Sequence, residues 1–199
     1  MRKQNAKQRI LAAAGNLFTK RGYGSVGINE IIAQSETAKA SFYNHFPSKE
    51  QLCTAWLGET HDQSEERHEA RLASGKNPLS LVEEQFQDLK PWMRNNGFRG
   101  CPYTNTAAGL PEDSPLIQEK VDQHKLYLRD FFIELAQRIT SGKAARQLGT
   151  TLFLLYSGAT TEAQNLKSTW PIDAAKDAAV ALCENAAAHA SQTKSLATP

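Results

Sequence analysis

Residues Ala38–Leu52 read AKASFYNHFPSKEQL and set Tyr43, Asn44 and His45 side by side between Phe42 and Phe46. At about 100° per residue, Ala38, Phe42 and Phe46 fall within an arc of about 80°, the buried stripe of a short helix predicted over Ala38–His45. Ala40, Ser41, Tyr43 and Asn44 face the other way, with Lys39 and His45 on the flanks. Ala40 and Ser41 are small, so a partner surface can come close to that face. A phenol, an amide, an ammonium and an imidazole offer it hydrogen bonds. Pro47 ends the segment, and SKEQ then predicts a capping box in which Ser48 and Gln51 satisfy free amides of a helix over 48–73.

Upstream, Ile10, Leu11, Ala14, Leu17 and Phe18 repeat with helical period up to KRGYG. Gly22 is a left-handed stop there, and Lys20 and Arg21 sit at the negative helix end. A second short helix is predicted over Ile28–Gln34, with Gly27 as N-cap, Glu30 in the first turn, and Ile28, Ile31 and Ile32 buried. Two short helices joined by a tight turn, the second with a hydrogen-bonding outer face, make a helix-turn-helix suited to a major groove. The charge agrees with an anionic partner. Residues 1–55 hold eight Lys/Arg (Arg2, Lys3, Lys7, Arg9, Lys20, Arg21, Lys39, Lys49) against Glu30, Glu36 and Glu50, whereas the whole chain is only +2.

Downstream, helices are predicted at 79–93, 101–108, 115–140, 144–167 and 172–190, broken by RNNG, GLPEDSP, SGK and WP, with a frayed tail at 191–199. No alternating strand pattern or repeat stands out, so the fold is expected to be all-α. The chain of 199 residues, 40% hydrophobic and 22% charged, has the composition of an ordinary globular protein. No run reaches the ~20 apolar residues of a membrane helix, and the basic N-terminus lacks an apolar signal region. Cys53, Cys101 and Cys183 lie far apart without paired spacing. Reduced thiols, a cytoplasmic location, no membrane association and no cofactor are the expectations.

Residues 8–56 resemble the N-terminal domain of the TetR family of transcriptional regulators. QRILAAAGNLFTKRGYGSVGINEIIAQS and AKASFYNHFPSKEQL carry the likeness, most of all FYNHFPSKEQL. The resemblance implies a DNA-binding domain over 1–53 and a helical effector-binding and dimerisation domain over 54–190. Carried over by position, it implies that Tyr43, His45 and Lys49 contact backbone phosphates of double-stranded DNA. Lys39, Ala40, Ser41 and Asn44 would face base edges, Asn44 suiting adenine and Lys39 suiting guanine. Asn29 matches a further DNA-contact position. The departure lies in the turn, where SET puts Glu36 in the place usual for glycine. The resemblance also implies a homodimer built on the last two helices, which are rich in Ala, Gly, Ser and Thr, and hence a palindromic operator. A ligand-responsive repressor is the expected activity, not an enzyme.

Candidates for an effector pocket are Phe86, Leu89, Trp92, Met93, Phe98, Tyr103, Tyr127, Phe131, Tyr156 and Trp170, a mixture suited to a small, mostly uncharged or aromatic effector. In FRGCPYTN, Pro102 opens a helix and leaves Cys101 at its N-cap near Arg99. Thiols at helix N-termini near cations tend to react as thiolates, and Gly-Cys here resembles a family branch that senses oxidants or electrophiles. Oxidation or alkylation of Cys101 is therefore an alternative trigger, although the expected partner lysine is Gln164, with Lys167 nearby. His61, Glu65 and His68 have metal-binding spacing, but HDQSEERHEAR is charged on all sides and reads as a solvated face. An all-α enzyme with a Cys101 nucleophile and His124 as base is the competing class; it leaves the basic N-terminal face unused.

Overall fold

The computed structural model describes residues 5–111 and 114–196. Every regular element among them is helical. In chain order they are α1 (Ala6–Arg21), a 3₁₀ turn (Tyr23–Ser25), α2 (Ile28–Gln34), α3 (Lys39–His45), α4 (Lys49–Ala73), α5 (Pro78–Gln87), α6 (Leu89–Asn95), α7 (Pro102–Ala108), α8 (Pro115–Gln137), α9 (Gly142–Leu166) and α10 (Trp170–Leu196).

Local chemistry sets most of these limits. Asn5 and Gln8 cap α1 reciprocally, each side-chain oxygen accepting the other's amide at 2.9 and 3.0 Å. Gly22, at φ 83°, gives its amide to the Phe18 carbonyl and stops the helix. Ser48 Oγ accepts the Gln51 amide at 3.1 Å and starts α4. The single helix expected at 79–93 is two, meeting at Asp88. Pro91 is the physical reason: it cannot donate to the Gln87 carbonyl, and its ring crowds that oxygen. At the far end α10 begins at Trp170, because Pro171 is tolerated in a first helical turn, and it continues to Leu196. The frayed tail expected at 191–199 is therefore helical through Leu196, and its last three residues lie outside the described ones, as do Arg2 and Lys3.

Two packed units arise. One comprises the chain up to Glu65 with Cys101–His124; the other comprises Glu66–Gly100 with the chain from Lys125 onward. The division by packing thus differs from a linear cut near residue 53. In the first unit Ile10, Leu11, Leu17, Phe18, Ile31, Phe42, Phe46, Leu52, Leu57 and Ile117 form the core. Ile28 and Ile32, expected inside, are only partly buried, since a seven-residue helix turns one narrow stripe inward. In the second unit Leu81, Phe86, Met93, Phe132, Leu135, Leu152 and Ile172 are buried together. Gly149 on α9 lies so close to α8 that an added Cβ would stand 2.4 Å from the Ile133 Cα.

Candidate nucleic-acid interface

The α3 segment folds with the polarity its sequence predicts except at Ala38, expected in the buried stripe, which precedes the helix as its N-cap and is exposed. Phe42 is fully buried and Phe46 is 4% exposed, 6.4 Å apart between ring centroids. Lys39, Ala40, Tyr43, Asn44 and His45 are exposed, and Ser41 is half-buried. Tyr43 pairs with the Phe42 ring in a T-shaped contact at 5.3 Å and remains 42% exposed. Asn29, on α2, is exposed as well. Six of the eight candidate DNA contacts are therefore exposed on the same unit, and Ser41 and Lys49 are half-buried.

The turn between α2 and α3 carries the strain its sequence implies. Glu36 has φ 51°, the left-handed region that favours glycine. Arg9, on α1, braces it: Nε donates to the Ser35 carbonyl at 3.1 Å and Nη2 to the Glu36 carbonyl at 3.5 Å. A guanidinium there also suits the negative end of α2. Ser35 and Thr37 add a hydroxyl–hydroxyl bond of 2.8 Å. Replacing Glu36 with glycine is expected to raise stability by about 1 kcal/mol, since the side-chain strain goes while the bracing carbonyls stay. Urea unfolding measures it as a higher midpoint at unchanged slope; a lower midpoint would show the carboxylate supporting the turn.

Lys49, the eighth candidate, turns inward. Its ammonium donates to the Tyr23 and Val26 carbonyls, both at 3.1 Å, and lies 4.3 Å above the Tyr23 ring. Burial lowers the Lys49 pKa, and burial raises that of Tyr23 to about 12. No feature of SKEQ announces this, because the partners lie more than 20 residues upstream.

The effector candidates separate between the units. Cys101 and Tyr103 belong to the first, and the others to the second. Cys101 is half-buried at the N-cap of α7, as predicted, without a side-chain capping bond. Tyr103 is buried, donates to the Leu57 carbonyl at 2.8 Å and stacks on His124 at 3.7 Å. His124 in turn sets its Nδ1 3.2 Å from that of the buried His61, so one of the two nitrogens carries the shared proton.

In the second unit, Phe86, Phe132 and Tyr156 meet at 5.3–6.1 Å, and Phe131 joins Phe132 at 5.4 Å. Leu89 and Met93 are buried with them, Phe98 is partly buried, and Trp92 and Trp170 are 39% and 60% exposed. The sequence reading missed what sits among these rings. His68 is buried and stacks on Phe131 at 4.0 Å; its Nε2 accepts from Gln85 Nε2 at 3.2 Å, which leaves its Nδ1 to donate to Tyr127 Oη at 3.2 Å. His61 and His68 thus face ring and amide partners inside the protein, where a solvated face was expected. The signal was a histidine every seventh residue on one side of α4. Lys167, itself left-handed at φ 50°, donates to the Phe98 carbonyl at 3.2 Å, and Gln164 packs against Gly100.

Residues 10–55 match the family model of bacterial regulatory proteins of the tetR family. An uncharacterised helix-turn-helix transcriptional regulator from the lacX 3' region of Lactococcus lactis is 30% identical over 130 residues, 61% of this chain and 66% of that one. The transcriptional repressor NemR of Escherichia coli is 24% identical over 180 residues, covering 85% and 89% of the two chains. Among solved structures, the TetR-family regulator SCO4454 of Streptomyces coelicolor superposes with a TM-score of 0.79 at 25% identity, over 94% of this chain and 96% of that one. Fold and site together define a helix-turn-helix transcriptional regulator. The chain belongs to the TetR family.

Proposed function

We propose that the protein is a homodimeric, ligand-responsive repressor that places the outer face of α3 in the major groove of a palindromic operator. The observation that carries this reading is the division of α3: Phe42 and Phe46 hold it to the core, while Lys39, Ala40, Tyr43, Asn44 and His45 are exposed. On this reading Lys39, Ala40, Ser41 and Asn44 read bases, Tyr43 and His45 hold phosphates, and Asn29 supports them from α2. The functional head then ends near residue 53, and the rest of the chain serves effector binding and dimerisation. Its place of action is the cytoplasm, where the duplex is. Among the described residues no helix is long and apolar enough to cross a membrane.

A gel shift with the DNA flanking the protein's own gene tests the proposal. A specific complex that weakens steeply between low and moderate salt is expected, because phosphate neutralisation releases counterions. Absence of any salt-sensitive complex would refute it.

The proposed dimer uses α9 and α10, whose Leu154, Leu166, Trp170 and Leu182 are 38–61% exposed. Apolar side chains left outside on two long helices favour a partner helix pair. Leu154→Glu is expected to halve the native mass seen by light scattering. An unchanged mass would place the interface elsewhere.

The proposed effector site lies among His68, Gln85, Phe86, Tyr127, Phe131 and Tyr156. A hydrogen-bonded imidazole among aromatic rings suits a small aromatic or uncharged polar compound. Such a compound weakens DNA binding only to the extent that it prefers the non-binding state.

A further inference from the structure

We infer that Lys49 is a positioning residue of the DNA-binding head: its ammonium locks the 3₁₀ turn that leads into α2, and it takes no phosphate of the duplex. The inference rests on the reading of α3 as the DNA-contacting face.

Two of the three N–H donors of Lys49 are committed to the Tyr23 and Val26 carbonyls, and the charge lies over the Tyr23 ring. Those two carbonyls bound the 3₁₀ turn, and Gly27, the N-cap of α2, follows directly. At the other end of α2, Arg9 holds the Ser35 and Glu36 carbonyls. Cations from α1 and α4 thus grip the short α2 at its entry and its exit. Arg21 adds a bond to the Ser25 carbonyl at 3.0 Å and pairs with Glu30. A seven-residue helix is too short to hold its own geometry in water. Its placement, and through the turn that of α3, depends on these grips. A phosphate drawing Lys49 outward would strip two carbonyls and an aromatic face of their cation.

The two roles separate by salt dependence. Each phosphate neutralised adds about 0.9 to the slope of log affinity against log salt, so loss of Lys49 contacts in both subunits would flatten it by about two units. The experiment uses the full-length chain and a duplex that the wild-type protein recovers from a random-sequence library. Lys49→Met is expected to weaken binding about tenfold at every salt concentration, with the slope of the wild type. Lys49→Gln keeps N–H donors without the charge and should recover most of the affinity. A slope flattened by about two units, in either variant, would overturn the inference.

A measurement without DNA stands beside it. Amide hydrogen exchange at Val26 and Ile31, whose N–H groups donate to the Tyr23 and Gly27 carbonyls, should accelerate about tenfold in Lys49→Met, and unchanged exchange there would also overturn the role. A wild-type chain that recovers no duplex would sink the DNA-binding reading of α3, and exchange alone would then decide Lys49.

Discussion

Tyr43→Ala is expected to weaken operator binding by about two to four orders of magnitude while the protein stays folded. A hydrogen bond to a charged phosphate contributes about 1.5–3 kcal/mol, and a dimer makes it twice. The folding cost is small because Tyr43 is 42% exposed and pairs with the core ring of Phe42 in a T-shaped contact. An aromatic pair of that kind is worth about 1 kcal/mol. Fluorescence anisotropy against the operator, paired with thermal unfolding, separates the two effects. The salt slope should hold at its wild-type value, since a phenol releases no counterion. Undiminished affinity would mean that the α3 face does not meet the duplex.

Gly149→Ala is expected to be the most damaging small substitution in the second unit, at about 3 kcal/mol. The new methyl would stand 2.4 Å from the Ile133 Cα, 2.6 Å from its nitrogen and 2.8 Å from the Phe132 carbonyl carbon. All three are backbone atoms, so no rotamer change relieves the clash and α8 and α9 must move apart. Overpacking of this kind costs about 1–3 kcal/mol even where side chains can yield. The gain in helix propensity, about 1 kcal/mol, offsets only part of it. Thermal unfolding should show a midpoint lower by about 10 °C. Gly58, within α4, has nothing within 4 Å of an added Cβ and serves as the internal control. Equal behaviour of the two variants would show that the helices do not approach as described.

What could be read from the chain alone was what short-range chemistry decides. The stripe of Phe42 and Phe46, the stop at Gly22 and the cap at Ser48 all depend on neighbours within a helical turn or two, whereas Glu36 stood out only against the glycine that the resemblance leads one to expect. The outward face of α3 followed because a period of 3.6 leaves no other arrangement for those aromatics. Lys49 was beyond reach, since its partners lie 23 and 26 positions away and its motif reads equally well for a phosphate contact. The chain Gln85–His68–Tyr127 escaped for the same reason: it joins α4, α5 and α8, and only the regular spacing of His61 and His68 hinted that their side of α4 had a purpose. Pro91 lies inside the single helix expected at 79–93, and its missing donor is what divides that segment into α5 and α6. The packing division eluded the sequence because α4 and α8 each contribute residues to both units without a break in composition.

The distribution of the three thiols has a practical consequence. Burial raises the Cys53 pKa to about 12 and that of Cys183 to about 11, so neither presents a thiolate to a reagent in the native state. Cys53 belongs to one unit and Cys183 to the other. An alkylating label therefore reaches each of them only when its own unit opens, and the natural sequence carries a built-in clock for the opening of each half.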